Sequence, residues 1–518
     1  EVNPKIVTAQ EAVQKIKSGD TLVVGGAGAG HGVPDALLEA LGQEFVTHGS
    51  PENITVLHPC GIGDNQDRGL NHLAHEGLIK RDIGGFWGNA PKLCDLAQQE
   101  KLEAYNFPQG VLAHLVRAIA AGGKGLFTKV GLNTFVDPDF EGGKINKITT
   151  ENLVEKVHID GEELLLYKSY PFNVAFIRST SADREGNITM EEEVGTFSML
   201  SMAQAVKVNG GIVIAQVKRV NSNEEAMPVQ VKVPGVLIDY IVEVPNQQMT
   251  FITDYNQALI NRSHPFEEDE LLLTGVKRLI ARRAALELKK DDKVNLGYGM
   301  PDGVPIVARE EKINKDITFL IEQGPIGGVL TTGLNFGAMY NPSAILDEAY
   351  QFDFFHGGGL DICYLGFAQV DKQGNVNSSR FGKILTGCGG FIDISQNTKK
   401  VVFCGGFSTK TELTYNEEGI QMQFPGKHKK FVNEVEQITF NGKYAAQKGQ
   451  EVLYVTERAV FRLTIEGLEL IEIAPGVDLE SDILAMMDFK PLVRNVRIIN
   501  KTIYKSSLMG MQMMDFNY

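Results

Sequence analysis

A chain of 518 residues exceeds one ordinary hydrophobic core, so two or more domains are expected. With 43% hydrophobic and 22% charged residues and no apolar run long enough to cross a bilayer, the composition excludes a disordered chain and a membrane-spanning helix. A formal charge of −15 excludes the basic field of a general nucleic-acid binder, so an anionic ligand must be held locally.

The opening Glu1-Val2-Asn3-Pro4-Lys5 shows no basic start followed by an apolar core, so neither a signal nor a transit peptide is expected, and the cytoplasm is the expected compartment. Thr8 to Glu11 is a capping-box pattern that predicts a short helix through Val13 and Ile16, ended by Gly19. Asp20 to Val24 reads as a strand running into the loop Gly25-Gly26-Ala27-Gly28-Ala29-Gly30-His31-Gly32, after which Val33-Pro34 starts a helix. The loop spacing never gives G-x-G-x-x-G, and Walker A, G-x-S-x-G and H-E-x-x-H are all absent.

The second half repeats these elements. A helical pattern from Val276 to Leu288 leads to a strand, Asp292 to Leu296, then to Gly297-Tyr298-Gly299-Met300-Pro301-Asp302 and a helix opened by Gly303. Asn53 to Leu57 before Gly61-Ile62-Gly63 matches Asp316 to Leu320 before Gly324, Ile326 and Gly327. Asp183-Arg184-Glu185-Gly186-Asn187 matches Asp371-Lys372-Gln373-Gly374-Asn375. Three matches in one order predict a duplicated unit: two related open α/β domains with mainly parallel sheets and ligands at the carboxyl ends of the strands. The expected division is 1–245 with an insertion at about 90–168, a linker at 246–273, and 274–518.

Ile317 to Gly328 delivers a lone carboxylate, Glu322, to a glycine-rich turn where backbone N–H groups can approach a ligand. Such a residue suits a nucleophile; the pattern alone is equally consistent with a solvated strand end. Further glycine clusters follow at His356-Gly357-Gly358-Gly359-Leu360-Asp361, Gly387-Cys388-Gly389-Gly390 and Cys404-Gly405-Gly406, which suit either a long ligand lying on backbone or tight turns. The five cysteines, Cys60, Cys94, Cys363, Cys388 and Cys404, form no C-x-x-C pair, so neither a disulfide framework nor a metal site is expected. Lys427-His428-Lys429-Lys430 reads as a solvated run or as a contact for phosphates, and Met509, Met511, Met513 and Met514 as an interface or a fraying end.

The Glu322-Gln323-Gly324 turn, His356 to Asp361 and Gly387 to Asp393 resemble the catalytic half of the family I CoA transferases. Gly25 to Pro34 and Pro108-Gln109-Gly110 resemble the other half, and Val455 to Phe461 with Glu472 to Gly476 extend the likeness over nearly the whole chain. Within the family it is closest to the single-chain acetate and propionate enzymes. It departs from the succinyl-CoA:3-ketoacid enzymes, whose turn begins Ser-Glu-Asn-Gly. The resemblance implies that Glu322 forms an acyl-glutamyl anhydride and then a glutamyl-CoA thioester in ping-pong steps. It further implies oxyanion stabilisation by Gln109 and Gly390, CoA contacts at Gly297, Gly299, Met300, Gly387 and Gly389, and substrate contacts at Gly28, Gly358 and Asn377. His31 and His356 need no general-base role. Coenzyme A is then a substrate and no cofactor is expected. The partners are acyl-CoA and short-chain carboxylates, without nucleic acid or membrane, in a homodimer or homotetramer. Hydrolysis of the same intermediate, or acyl-CoA sensing without catalysis, are the alternative readings.

Overall fold

Apolar runs punctuated by glycine turns build two sheets, each mostly parallel, in a computed structural model that describes residues 4–268 and 273–513. The chain divides into two compact units. The first holds the described residues through Glu267 together with Ile321–Asp353 and Lys383–Asp393. The second holds the described residues of Glu268–Leu320, Phe354–Gly382 and those from Ile394 onward.

In the first unit the strands are β1 (Thr21–Val24), β2 (Ile54–His58), β3 (Ile79–Gly84), β4 (Glu103–Asn106), β5 (Val174–Ala182), β6 (Ile212–Val220) and β7 (Tyr240–Glu243). They lie in the order β7-β6-β5-β1-β2-β3-β4, all parallel, with Lys5–Ile6 beside β7. All nine residues of β5 are buried, as a central strand covered on both faces requires. Thr8 accepts from the Glu11 N–H at 3.1 Å, so the expected N-cap forms, though its helix covers only Ala9–Val13. Helix α1 (Asp35–His48) ends at Gly49, whose φ of 69° suits glycine. Helix α2 (Gln109–Ala120) packs against α3 (Met199–Val208).

The second unit contains helix α4 (Gly275–Ala285), β8 (Lys293–Leu296), helix α5 (Gly303–Glu310), β9 (Thr318–Phe319), β10 (Ile362–Gly366), β11 (Lys400–Cys404), β12 (Glu451–Val455), β13 (Ala459–Thr464), β14 (Gly467–Ile473) and β15 (Leu492–Ile498). The order is β9-β8-β10-β11-β12-β13-β14-β15, parallel from β9 to β12 and closed by the antiparallel pairs β12-β13 and β13-β14. The strands β12-β11-β10-β8-β9 repeat β7-β6-β5-β1-β2 in the same spatial order, so the duplication read from the sequence is a duplication of the fold.

The division differs from a single cut. Residues 246–268 are not a free linker, because Met249, Ala258 and Leu259 are buried in a small core with Ala338 and Tyr340. Phe266 stacks on Tyr340 at 4.5 Å, and Asn341 donates to the carbonyls of Asn261 and His264. Residues 269–272 of the expected linker lie outside the described residues. Nor is 90–168 one insertion: Glu103–Asn106 is the edge strand of the main sheet, and only Gly125–Thr128, Val154–Ile159 and Glu162–Lys168 form a separate antiparallel sheet. Met509 and Met511 are buried, and the N–H groups of Met509, Gly510 and Met511 donate to the Glu311 carboxylate, so this part of the methionine-rich end is tied down within the second unit. Met514 lies outside the described residues. Among the described residues no helix is long and apolar enough to cross a membrane.

Candidate active site

Glu322 stands near the start of a later segment that belongs to the first unit, and it is only 8% exposed. The turn around it is closed by Gly324 N–H to Ile321 O at 2.9 Å and Ile321 N–H to Pro325 O at 3.1 Å, while the Gln351 amide donates to Ile321 O at 2.9 Å. Gly324 has φ 127°, and a Cβ there would lie 2.0 Å from the Leu346 carbonyl oxygen, so the turn requires glycine. The carboxylate is thus carried on a backbone with little freedom to relax.

Cys60, just beyond β2, connects this turn to the other polar groups of the unit. Its Sγ–H donates to Glu348 Oε2 at 3.0 Å. The Gln109 amide donates to Cys60 Sγ at 3.1 Å and to Glu348 Oε2 at 3.3 Å, and the Ser198 hydroxyl donates to Glu348 Oε1 at 2.8 Å. Burial, then Glu348, and then Glu322 and Asp347 push the thiol well above its ordinary range, so Cys60 stays a protonated donor and no nucleophile. The charge of Glu322 thus helps to raise the same thiol that the Gln109 amide bonds. Glu348 has no exposed surface. Burial and the neighbouring Asp347 raise its carboxyl to about 7 against the opposing hydrogen bonds from Cys60, Ser198 and Gln109. Asp347 is held by the Thr196 hydroxyl at 2.7 Å and the Ser198 N–H at 2.9 Å. Phe197 and Ser198 both have positive φ, 48° and 61°, a strained pair that delivers the Ser198 hydroxyl.

Helix α2 presents Gln109 because its N-terminus is tied on three bonds. Gln109 N–H donates to Gly389 O at 2.9 Å, and Gly110 and Val111 N–H donate to the Asp393 carboxylate at 3.0 and 3.2 Å. An acceptor anion there satisfies free helical N–H groups and the helix dipole together. Gly389 N–H donates to Gly85 O at 2.7 Å, and Asn106 bonds the carbonyls of Gly84 and Gly85 while accepting from Cys388 N–H. Gly387, Gly389 and Gly390 are buried in this turn beside Gln109. Gly28 joins the same unit: its N–H donates to Gly61 O at 2.6 Å and its carbonyl accepts from Gly63 N–H, next to Cys60. The glycine loop is anchored by buried Arg178, which pairs with Glu193 at 3.1 Å and donates to the carbonyls of Gly30, Val33, Gln248 and Met249. Burial and Arg178 lower His31 to about 4, so it is neutral in the loop.

The second unit holds the remaining expected contacts. Gly297 N–H continues the sheet to Tyr364 O at 2.9 Å, and Gly299, with φ 96°, opens the turn Met300–Asp302 into α5. All three of Gly297, Gly299 and Met300 are partly exposed at the carboxyl end of β8, where the open α/β fold places ligands. Gly358 is not with them, because its turn precedes β10 and so lies at the amino end of the sheet. Asn377 lies in a turn of its own. It is fully buried, its amide donates to Gln369 Oε1 and Arg380 O, and its Oδ1 accepts from the N–H groups of Ser379 and Arg380, so its side chain is committed to its own turn. In the basic run, Lys429 pairs with Asp488 at 3.1 Å and Lys430 lies 4.4 Å from the Phe367 ring. Among the described residues no cluster of His, Cys, Asp or Glu is placed to hold a metal ion.

Cys60, Ser198, Glu348 and Asp393 were not expected. A signal for Cys60 existed: the match of Gly61 with Gly324 sets Pro59-Cys60 at the positions of Glu322-Gln323. Glu348 gave only an acidic pair before an apolar helix.

Residues 6–244 match the family model described as Coenzyme A transferase. The chain is 44% identical over 515 residues to the acetate CoA-transferase YdiF of Escherichia coli K12, covering 98% of this chain and 96% of that one. It is 44% identical over 498 residues to the caffeate CoA-transferase of Acetobacterium woodii, covering 94% and 95%. The acyl-CoA transferase YdiF of E. coli O157:H7, solved as a thioester complex with CoA, superposes with a TM-score of 0.93 at 42% identity, over 98% of this chain and 97% of that one. With this likeness along its whole length, in sequence and in fold, the chain belongs to the family I coenzyme A transferases and is a CoA-transferase enzyme.

Proposed function

We propose that the enzyme moves CoA from a short-chain acyl-CoA to acetate, propionate or a similar carboxylate by ping-pong catalysis on Glu322. A Glu322 oxygen attacks the thioester carbonyl, the C–S bond breaks, and CoA leaves as the thiolate, giving an acyl-glutamyl anhydride. The thiolate then attacks the glutamyl carbonyl, the anhydride C–O bond breaks, the first acid departs as a carboxylate, and a glutamyl-CoA thioester remains. A second carboxylate reverses both steps. Electron pairs move between oxygen and sulfur without net proton transfer, so neither His31 nor His356 is required as a base.

Each attack builds an oxyanion. The Gln109 amide and the backbone N–H of Gly390 are the donors we assign to it, and a single donor of this kind contributes about 100- to 1,000-fold in kcat. Gly297, Gly299 and Met300, with Gly387 and Gly389, are assigned to CoA, and Gly28 to the substrate. The same reading makes the protein a cytoplasmic homodimer or homotetramer without a resident cofactor or metal, and with neither nucleic acid nor membrane as a partner.

The observation that carries the reading is Glu322 itself: a carboxylate 8% exposed on a turn that admits only glycine at 324, acting on the thiol that the Gln109 amide also bonds. Its burial keeps water from the intermediate, which favours transfer over hydrolysis. The thioester complex solved for the E. coli O157:H7 relative supports a covalent route. The test is mass spectrometry of the digested protein after incubation with propionyl-CoA alone. CoA is expected on the peptide containing Glu322, lost when acetate is added, and absent in Glu322→Gln, whose kcat falls by at least about 10,000-fold. Turnover at normal rate with no adduct on that peptide would refute the covalent route.

A further inference from the structure

Glu348 is a fully buried carboxyl that the transfer chemistry leaves without a task. A structural carboxylate is usually held by backbone N–H groups or a cation. Glu348 instead receives three side-chain donors, from Cys60, Ser198 and Gln109. The thiol and the hydroxyl can turn to accept, whereas the Gln109 N–H can only donate, so the contact at 3.3 Å orients the amide. Because Cys60 Sγ and Glu348 Oε2 lie only 3.0 Å apart, one Gln109 N–H directed between them serves both as a three-centre bond, which aims the second N–H away from both.

We propose that Glu348 is a positioning residue of the transfer site: through its contacts with Cys60, Ser198 and Gln109 it locks the Gln109 side chain with one N–H free for the oxyanion. This rests on the reading of Gln109 as an oxyanion donor. The anion accepts all three donors at once; protonation converts one oxygen to a donor and loosens the set. The ionisable groups facing Glu348 are Cys60 and Asp347, with Glu322 acting on the same thiol. Burial and Asp347 place the titration of Glu348 at about 7, within the working range of an enzyme. Its raised value means that the protonated, loosened form predominates below that point and the locked form above it.

The experiment compares wild type, Glu348→Gln, Gln109→Ala and the double variant with propionyl-CoA and acetate between pH 6 and 8. In Glu348→Gln, kcat is expected to fall by about 10- to 100-fold with KM for propionyl-CoA within about threefold, as for a misaimed donor. The acid limb near pH 7 in the wild-type kcat profile should vanish. The double variant should be no slower than Gln109→Ala, since both changes remove one function. The CoA adduct on Glu322 should persist in Glu348→Gln. Wild-type kcat in Glu348→Gln, or losses that multiply in the double variant, overturn this proposal alone. Wild-type kcat in Gln109→Ala overturns the oxyanion reading as well. Loss of the adduct with the fold intact also overturns a purely positioning role. If Glu348→Gln fails to fold, Cys60→Ala replaces it: a kcat loss that does not add to that of Gln109→Ala supports the proposal, and an additive loss refutes it.

Discussion

In the first unit Asp183 accepts from the N–H groups of Glu185, Asn187 and Ala226 and from the Asn187 amide; in the second, Asp371 accepts from Gln373, Asn375 and Val435 N–H and from the Asn375 amide. The next contact repeats as well, with Gly235 N–H on Asn187 Oδ1 at 2.9 Å and Gly442 N–H on Asn375 Oδ1 at 2.8 Å. Yet the two carboxyls shift in opposite directions. At Asp183 burial is outweighed by the N–H donors and the carboxyl lies below its ordinary value; at Asp371 deeper burial wins and it lies above. One motif, copied twice, has been set in two electrostatic environments, so local sequence identity does not carry energetic identity. The strand ends diverge further: the first copy has Pro59-Cys60 before Gly61, and the second has Glu322-Gln323 before Gly324. One copy places a carboxylate at the strand end and the other a thiol held neutral by burial and its acidic neighbours.

The widest separation is expected between Gly324→Ala and Gly61→Ala. An added Cβ at 324 meets a backbone carbonyl oxygen at 2.0 Å at φ 127°, whereas at 61 it meets only side-chain atoms, of Phe86 at 2.5 and 2.8 Å and of Asn89 at 2.9 Å, so the neighbouring side chains rather than the backbone must give. Gly324→Ala should lower kcat by about 100-fold or more and Gly61→Ala by under about tenfold. Equal losses in steady-state assays would erase the distinction between the copies. The aspartates sharpen it on the stability axis. Asp183 adds stability above its unfolded value of about 3.9 and loses it as pH falls through its lower folded value. Asp371 loses its advantage as pH rises through its higher one. In urea unfolding at pH 7, Asp183→Asn should cost about 1.5–3 kcal/mol and Asp371→Asn under about 1.5 kcal/mol, and the Asp183→Asn deficit should shrink below about pH 3.9. A larger cost for Asp371→Asn at pH 7 would reverse the assignment. The smallest effect is expected at the basic run of the second unit, where Lys429 is already paired with Asp488. Lys427→Ala with Lys429→Ala should change KM for acyl-CoA by under about threefold if the run is solvated.

Much of the fold was legible because its signals are local. The apolar runs, the glycines that end them and the Asp-x-x-Gly-Asn turn all lie within a few residues, and Glu322 and Gln109 each sit in such a signature. The exchange of Ile321–Asp353 and Lys383–Asp393 into the first unit was not, because strands such as Pro325–Ile326 and Ala344–Ile345 are two residues long and leave no periodicity. The bonds that Asn377 makes within its turn were not legible, since an Asn after a glycine turn looks alike whether it faces a ligand or its own backbone. Glu348 was silent because its partners come from positions 60, 109 and 198, and nothing in the order of residues announces that three donors will converge on it.

The borrowed segments also bear on how the molecule is made. The first unit lacks the anion at the start of α2 until Asp393 has left the ribosome, although the strands of its main sheet are complete by Glu243. At about 5–20 residues per second the nascent chain waits roughly 6–25 s between Glu267 and Asp393. During that interval the small core around Met249 and Leu259 has no Ala338 or Tyr340 to close it for much of the time. Assembly is therefore not strictly domain by domain: the first unit reaches its full set of contacts only after much of the second has been synthesised.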